Sequence, residues 1–232
     1  VLITEMINTA VEAAVDVAIL DRASDIAVMR GGAVEHPKYR DRRLFGAGIN
    51  LTRLYRGKIP FIWYLQRDMG YVHKLVRGVA SPDAVPDDLH GTATEKLWVA
   101  AVDGFAIGGH CQLLLCMDYV LAASDAFMTL PARKEGIIPG LANLRLPRFT
   151  GDRVARQAIQ YERRLECDSP EGRLICDEIV ETGQMDAAIE RVVAGLTSSG
   201  VVSAASNRRA FRITQGPLTM FRQDFAGYAR EQ

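Results

Sequence analysis

Helical segments alternate with short apolar runs along this chain. Residues 9–20 place alanine, valine and leucine at helical spacing, and the apolar run 26–29 ends at two glycines, as a buried strand does. The order recurs further on, with a strand predicted over 96–102, a turn over 104–109 and a helix over 111–117. Helix and buried strand in this alternation are typical of α/β proteins, so an α/β fold is predicted.

The remaining segments complete the predicted organisation. Apolar spacing favours helix over 57–79, and the proline- and aspartate-containing insert 81–94 is predicted to be a surface loop. Residues 119–130 are expected to form one or two short strands. From residue 142 onward the pattern is mostly helical, with 169–171 (SPE) as a helix start that has proline at its first position.

Length and composition are those of one main domain. A chain of 232 residues with 48% hydrophobic content can bury one substantial core. We expect a core that carries the site over 1–150 and a helical carboxy-terminal region of the same fold over 151–232.

Charge and hydropathy exclude several classes of partner. The 28 basic and 28 acidic residues cancel, so no net field would draw the whole protein to nucleic acid or to an anionic membrane. No apolar run reaches the roughly 18 residues that a membrane-spanning helix needs. We therefore predict a soluble, cytoplasmic protein that binds neither nucleic acid nor a membrane. Arginine pairs such as 163–164 and 208–209 are expected on solvated faces.

The cysteines and histidines show no metal-ligand spacing. The four cysteines contain no C-x-x-C pair and are predicted to be reduced. Cys111 and Cys116 lie in an apolar run, which favours buried small hydrophobes, with a catalytic thiol as the alternative. His36, His73 and His90 have no carboxylate or cysteine at ligand spacing, so no metal site is predicted.

Two glycine-containing turns lead from an extended segment toward a helix. The first glycine turn is FGAGINL at 45–51, and the second glycine turn is DGFAIGGHCQ at 103–112. Glycines let the backbone approach a ligand closely, and free N–H groups at a helix N-terminus are donors for a negative oxygen. Two converging turns would hold an enolate oxygen with one N–H each, which is an oxyanion hole. From the residues alone, a purely structural role for either turn is equally open.

The two turns resemble the two signature segments of the crotonase (enoyl-CoA hydratase/isomerase) superfamily, in the same order and about 60 residues apart. A third segment, KEGIIPG at 134–140, is similar to the one that follows the second signature. The resemblance covers nearly the whole chain. It implies a ββα spiral core with a helical carboxy-terminal region, an acyl-CoA substrate, and assembly as a trimer or hexamer. It also implies the peptide N–H groups of Ile49 and Gly109 as oxyanion donors, with Ala47 beside them as a substrate-binding position.

The positions at which hydratases carry two glutamates differ in this chain. The resemblance aligns the first with Gln112 and the second with Ala132. Neither glutamine nor alanine can exchange a proton near neutral pH. Ordinary hydration is therefore not expected.

The Gln112 and Ala132 combination resembles one branch of the superfamily, the cofactor-independent 3,5-dihydroxyphenylacetyl-CoA dioxygenases. The segments that carry this closer resemblance are HPKYR at 36–40, GYVHKLVRG at 70–78, PARKEGIIPG at 131–140 and NLRL at 143–146.

The branch resemblance implies a role for several pocket residues. Gln112 and Arg67 would line the aryl pocket, and Ile137 or Ile138 would help to hold dioxygen. No metal or flavin is implied, because the substrate itself supplies the electrons. Loss of the α-proton gives an enolate that reduces the co-substrate O2, and the peroxide attacks the thioester to release CoA and an arylglyoxylate.

Two residues depart from the branch pattern. His110 replaces the third glycine of the second signature, which would put an imidazole at the substrate site beside the oxyanion hole; alternatively, it caps the helix or packs outward. Glu5 in the segment LITE is the candidate for a substrate-binding glutamate that contacts the ring hydroxyls, although an ungapped alignment places Ile3 there instead.

Two other functions use the same features. A CoA-thioester isomerase, hydrolase or decarboxylase would use the oxyanion hole without consuming oxygen. A non-catalytic homologue would bind acyl-CoA and release no product.

Overall fold

The computed structural model describes residues 3–39, 42–81, 93–216 and 218–232. Within these ranges the helices are α1 (Glu5–Leu20), α2 (Leu51–Tyr55), α3 (Phe61–Met69), α4 (Tyr71–Arg77), α5 (Gly109–Leu114), α6 (Ala142–Gln160), α7 (Met185–Thr197), α8 (Val201–Ile213) and α9 (Leu218–Glu231). The strands are β1 (Ile26–Arg30), β2 (Val79–Ala80), β3 (Ala93–Thr94), β4 (Leu97–Val102), β5 (Phe105–Ile107), β6 (Tyr119–Ala123), β7 (Phe127–Thr129), β8 (Leu165–Glu166) and β9 (Glu178–Val180).

A parallel sheet in the order β1-β4-β6-β9 forms the centre of the fold. All six residues of β4 are buried, as expected for a strand with neighbours on both sides and a covered sheet. Leu75 of α4 and Leu121 of β6 belong to the core around it, and both are fully buried. The α/β prediction is confirmed.

Each central strand continues into a second, three-stranded sheet of order β5-β7-β8. β4 is followed directly by β5 and α5, and β6 by β7, a 3-10 helix (Pro131–Arg133) and α6. Each unit thus gives one strand to each sheet and then a helix, which confirms the predicted ββα order. The predicted turn over 104–109 was wrong in part, because β5 pairs with β7 there.

The apolar run 26–29 was predicted to form a buried strand. The strand is present as β1, but the predicted burial was wrong. β1 has a single strand neighbour, β4, because it lies at the edge of the parallel sheet. Val28 is 40% exposed, whereas its register partner Val99 on β4 is fully buried. A short apolar run does not distinguish an edge strand from a central one.

The helix predicted over 57–79 is divided at Gly70. A Cβ at Gly70 would lie 2.6 Å from the carboxylate of Glu12 on α1. The same carboxylate accepts a hydrogen bond from the Tyr71 N–H at 2.6 Å and forms an ion pair with Lys74 at 2.5 Å. A carboxylate at a helix N-terminus satisfies donors that the helix leaves free, so Glu12 stabilises the start of α4.

The carboxy-terminal part contains more than helices. β8 and β9 were missed, and the helix start predicted at 169–171 leads only to a 3-10 helix, Gly172–Leu174. The Ser169 hydroxyl accepts from the Gly172 N–H at 3.0 Å, so the capping interaction forms without a long helix. The loop predicted over 81–94 was wrong at its end, because Ala93–Thr94 forms β3 and pairs with β2. Residues 82–92, which include His90, lie outside the described residues.

Arg208 was expected on a solvated face, and that prediction was wrong. Its guanidinium is buried and pairs with Glu95 and Asp118, each at 3.1 Å. Glu95 precedes β4 and Asp118 precedes β6, and Arg208 also donates to the carbonyl of Leu75 on α4, so one guanidinium joins α8 to these three elements. An ion pair between distant residues leaves no local pattern in the sequence.

The four cysteines are free and buried. Burial raises the pKa of Cys111 to about 12, so its thiol stays protonated near neutral pH. This agrees with the prediction that Cys111 and Cys116 act as small hydrophobes. No helix within the described residues is long and apolar enough to cross a membrane.

Replacing Val99 by alanine should destabilise the protein more than the same replacement at Val28. Val99 is fully buried and Val28 is not, so we expect a loss of about 2 kcal/mol in the free energy of unfolding for Val99→Ala and under about 1 kcal/mol for Val28→Ala. Urea unfolding of both variants, with the denaturant slope checked for a change, measures this. Equal losses would contradict the assignment of β1 to the sheet edge.

Candidate active site

The first glycine turn is held against β5 by backbone hydrogen bonds. The Gly46 N–H donates to the Phe105 carbonyl at 3.1 Å, and the Ile107 N–H donates to the Gly46 carbonyl at 2.9 Å. A Cβ at Gly108 would lie 3.6 Å from the Gly48 Cα, so the two glycine turns are in direct contact. Residues about 60 positions apart in the sequence are therefore adjacent.

Ile49 offers a free peptide N–H. Ile3 pairs with this segment by donating its N–H to the Gly48 carbonyl at 2.7 Å and accepting from the Asn50 N–H at 3.0 Å. In this parallel pairing the peptide N–H between them points away from Ile3. Among the described residues, the Ile49 N–H has no protein acceptor.

Gly109 offers the second free N–H because it is the first residue of α5. The preceding residue, Gly108, has φ 55° and donates its own N–H to the Thr129 carbonyl at 2.9 Å, which fixes the turn against β7. A side chain at Gly109 would lie 2.8 Å from Ile3 Cδ1 and 3.3 Å from Arg67 Nη2. The absence of a side chain at 109 lets α5 begin close to both.

Ile49 and Gly109 line one cavity of about 40 Å³, called the site cavity below. The other predicted residues that line it are Arg67, Gln112, Ile137 and Ile138. Six of the predicted site residues therefore border one space.

Arg67 is buried and its guanidinium is almost fully engaged. It donates to the Tyr71 hydroxyl at 3.1 Å, to Asp68 at 2.7 Å, to Gln112 Oε1 at 2.9 Å and to the Gly109 carbonyl at 2.9 Å. These four bonds use four of the five N–H groups that arginine carries. Arg67 consequently fixes the Gly109 peptide and the Gln112 amide as well as lining the cavity.

The third sequence element meets α5 at Gly140. A Cβ there would lie 2.1 Å from Gln112 Oε1, and the φ of Gly140 is +49°, a conformation that favours glycine. Gly140 thus lets the segment with Ile137 and Ile138 approach Gln112 closely.

His110 lies behind the first glycine turn. Its Nδ1 accepts from the Gly48 N–H at 3.1 Å, and its ring fills the space that a Cβ at Gly46 would need, 2.2 Å away. The α5 N-cap is Gly108 and receives no side-chain hydrogen bond, so the capping and outward-packing alternatives were wrong. His110 and Ala47 are not among the residues that line the site cavity.

The His110 imidazole is neutral near pH 7. Burial, followed by the nearby Arg67 charge, lowers its pKa to about 3. Because Nδ1 is the acceptor, the hydrogen is carried by Nε2.

Glu5 and Ile3 were the two candidates for the amino-terminal residue that contacts the ring hydroxyls, and the structure describes the side chain of Ile3 only. The Glu5 side chain lies outside the described residues. Ile3, which the ungapped alignment favoured, is buried and lines the site cavity.

The sequence matches the family model described as enoyl-CoA hydratase/isomerase over residues 87–214, more than half of the chain. The chain belongs to the enoyl-CoA hydratase/isomerase (crotonase) family. Solved enoyl-CoA hydratase/isomerases share its fold. One from Xanthobacter autotrophicus is 20% identical with a TM-score of 0.75 and covers 98% of this chain and 76% of its own. Another, from Cupriavidus metallidurans, is 19% identical with a TM-score of 0.69 and covers 98% and 78%.

Two curated relatives differ in how much of this crotonase-family chain they match. A (3,5-dihydroxyphenyl)acetyl-CoA 1,2-dioxygenase from Amycolatopsis orientalis is 48% identical over 222 residues, 95% of this chain and 50% of that protein. A crotonyl-CoA hydratase from Syntrophomonas wolfei is 30% identical over 119 residues, 51% of this chain and 46% of that protein. The chain spans about half the length of the curated relatives it matches.

Three residues that line the site cavity of this crotonase-family chain were not predicted from the sequence. Trp63 and Tyr64 lie on α3, and Glu135 follows the 3-10 helix. The Trp63 Nε1 and the Tyr64 hydroxyl are buried with no hydrogen-bond partner among the described residues. Trp63 lies four residues and Tyr64 three residues before Arg67, and this helical spacing was the available signal that they share its face.

A larger cavity of about 750 Å³ lies at the other end of α5. Arg145, Arg148, Arg208 and Arg212 are among its lining residues, and none of the predicted site residues is. The smaller cavity is therefore the candidate active site, because both glycine turns face it.

The His110 imidazole should make the protein less stable at acid pH. Its folded-state pKa is below the ordinary value of 6.5, so the unfolded chain binds the proton more tightly. This contribution to the free energy of unfolding is complete above about pH 6.5 and is lost toward pH 3, at no more than about 1.4 kcal/mol per pH unit.

Urea unfolding of the parent and of His110→Asn from pH 7 to pH 4 tests this. Asparagine keeps an acceptor near the Nδ1 position and does not titrate. His73, whose pKa burial lowers to about 4, is present in both proteins, so the difference between them isolates His110. Identical pH slopes would contradict a buried neutral imidazole.

Proposed function

We propose that this chain carries the catalytic core of a cofactor-independent dioxygenase that acts on an arylacetyl-CoA, with 3,5-dihydroxyphenylacetyl-CoA as the first substrate to test. The observation that carries the proposal is one cavity lined by Ile49 and Gly109, whose peptide N–H groups have no acceptor among the described residues. Gln112 and Ala132 line the same cavity at the two positions where hydratases carry glutamates. The 48% identity to the Amycolatopsis dioxygenase over 95% of the chain supports the choice of reaction and substrate.

The reaction begins with the thioester carbonyl oxygen between the Ile49 and Gly109 N–H groups. Removal of the α-proton moves an electron pair onto that oxygen, and the two donors stabilise the enolate. The enolate carbon reduces O2 and forms a C–O bond to it, and the resulting peroxide attacks the thioester carbon and expels CoA as its thiolate. Cleavage of the O–O bond, with loss of the remaining α-hydrogen as a proton to the CoA thiolate, then leaves the arylglyoxylate. The balance is arylacetyl-CoA plus O2 to arylglyoxylic acid plus free CoA, with no external reductant.

The residues around the donors favour this chemistry over hydration. Water addition needs an acid and a base at the two hydratase positions, whereas Gln112 holds an amide whose Oε1 accepts from Arg67 at 2.9 Å. Ala132 has no functional group. An enolate formed in this cavity therefore has no acid at either position to protonate it.

The apolar walls and the small volume of the site cavity suit the binding of dioxygen. Ile137 and Ile138 give an apolar surface, and a volume of about 40 Å³ fits a molecule as small as dioxygen. We expect the arylacetyl group to displace some lining side chains when it binds, because a ring needs more space than this.

Trp63 and Tyr64 are our candidates for recognition of the ring hydroxyls. A buried donor without a partner costs about 1–3 kcal/mol, a cost that a hydroxyl group of the ligand would remove. Burial, followed by the charge of Glu135, raises the pKa of Tyr64 to about 12, so its hydroxyl remains a donor at neutral pH. Gln112, fixed by Arg67, adds an amide to the same pocket.

The proposal also includes independence of metal and flavin cofactors, assembly as an oligomer and a cytoplasmic location. The described residues hold no group of three or more His, Cys, Asp or Glu side chains that could bind a metal ion. Cofactor independence rests on the electron-rich enolate, and a trimer or hexamer and a cytoplasmic location remain predictions.

Oxygen uptake with 3,5-dihydroxyphenylacetyl-CoA tests the function directly. In buffer that contains a chelator, we expect O2 consumption and release of one free thiol per O2, because the substrate supplies the electrons. The same incubation under nitrogen should release no thiol. Thiol release without oxygen would indicate a hydrolase, and no product with this thioester under air would overturn the proposed substrate.

Replacing Gly109 by proline should reduce turnover about 100-fold relative to Gly109→Ala, which corresponds to roughly 3 kcal/mol for one oxyanion donor. Both variants add a Cβ near Ile3 Cδ1, but only proline removes the N–H. Proline is tolerated at the first position of a helix, and Gly109 is the first residue of α5.

Gly109→Ala is the matched control for crowding, and circular dichroism checks the fold of both variants. If the two folded variants turned over at the same rate, the Gly109 N–H would not be an oxyanion donor.

A further inference from the structure

Glu135 is the one carboxylate among the described residues that line the site cavity. It follows the 3-10 helix Pro131–Arg133, and its N–H donates to the Ala132 carbonyl at 3.0 Å. Residues three apart in such a turn lie on the same face, and Ala132 and Glu135 both line the cavity. A carboxylate thus stands one turn beyond the position that carries the second glutamate in hydratases.

The charge of Glu135 is not neutralised by its neighbours in the chain. Arg133 and Lys134 instead pair with Glu162, at 3.3 and 2.5 Å. The Glu135 carboxylate has no hydrogen bond or ion pair within the described part of the chain, and the residue is half-buried. Its carboxylate is therefore available to a ligand in the cavity.

The groups that face Glu135 keep it basic. Burial raises its pKa, and the Glu162 charge raises it further. Across the cavity, Tyr64 remains a neutral phenol, and the Arg67 charge is paired with Asp68 at 2.7 Å. A carboxylate with a raised pKa is a stronger base for a weak carbon acid than an exposed one.

We propose that Glu135 is the general base that removes the α-proton of the acyl-CoA. This rests on the proposed function of the same site. The Cα–H bond breaks, the proton moves to a Glu135 carboxylate oxygen, and the electron pair moves to the thioester oxygen between the Ile49 and Gly109 N–H groups. The step consumes no oxidant, and O2 reacts only after it.

Exchange of the α-hydrogen in D2O without oxygen isolates this step. Parent protein should introduce deuterium into 3,5-dihydroxyphenylacetyl-CoA, as followed by mass spectrometry. Glu135→Gln should slow exchange by about 100-fold or more, the range for loss of a general base, while the Kd for the thioester changes little. Glu190→Gln, on the exposed side of α7, is the matched control and should exchange at the parent rate.

The outcomes separate the two proposals. A folded Glu135→Gln protein that exchanges at the parent rate overturns the base and leaves the dioxygenase standing. A parent that exchanges but takes up no oxygen under air overturns the dioxygenase and leaves the base. A parent that does neither overturns both.

Glu162→Gln gives a second measurement that does not alter the base itself. Because the Glu162 charge raises the pKa of Glu135, its removal should lower that pKa. Exchange requires ionised Glu135, so the fall in rate at acid pH should move to lower pH in Glu162→Gln. An unmoved acid limb would count against Glu135 even if Glu135→Gln failed to fold.

Discussion

The backbone pairing between the first glycine turn and β5 is the constraint on which the site depends. Both the N–H and the carbonyl of Gly46 form hydrogen bonds in this pairing, which brings Gly48 into contact with Gly108. Gly48 and Gly108 have φ of 82° and 55°, a conformation that favours glycine, and a Cβ at Gly48 would lie 3.2 Å from the Ile107 carbonyl oxygen. The limit is stricter where Gly140 meets Gln112, because a Cβ there would lie 2.1 Å from Oε1. The site is thus built largely from main chain, and the two proposed oxyanion donors are the peptide groups that this pairing and the start of α5 leave unused.

The buried charge of Arg67 contributes more to the orientation of the groups around it than to the stability of the fold. Its ion pair with Asp68 is removed from water, which costs solvation free energy that the attraction returns only when the remaining donors are satisfied. Tyr71, Gln112 and the Gly109 carbonyl satisfy them. One side chain from α3 therefore orients the second glycine turn and the pocket amide together, and a change at Arg67 would disturb both.

Local sequence patterns predicted those elements whose structure depends on residues near one another in the chain. The order of motifs indicated an α/β fold, and the structure places both glycine turns against one cavity. The break at Gly70 depends on Glu12 from another helix, and the exposure of β1 depends on its place in the sheet. Glu135 was overlooked for the same reason, because its position in the cavity is set by the packing of a 3-10 turn that no periodicity reveals.

The distribution of acids and bases explains why one carboxylate is enough for the proposed chemistry. A hydratase must move a proton at two atoms of its substrate, so it needs two groups. A dioxygenase of this kind needs a base to form the enolate and must then keep acids away from the carbanion until oxygen arrives. Gln112 provides an amide that cannot protonate it, Ala132 provides nothing, and Glu135 stands one turn further on. With no acid at the two hydratase positions and one carboxylate on the next turn, the proposed site can remove a proton but lacks the second group that addition of water requires.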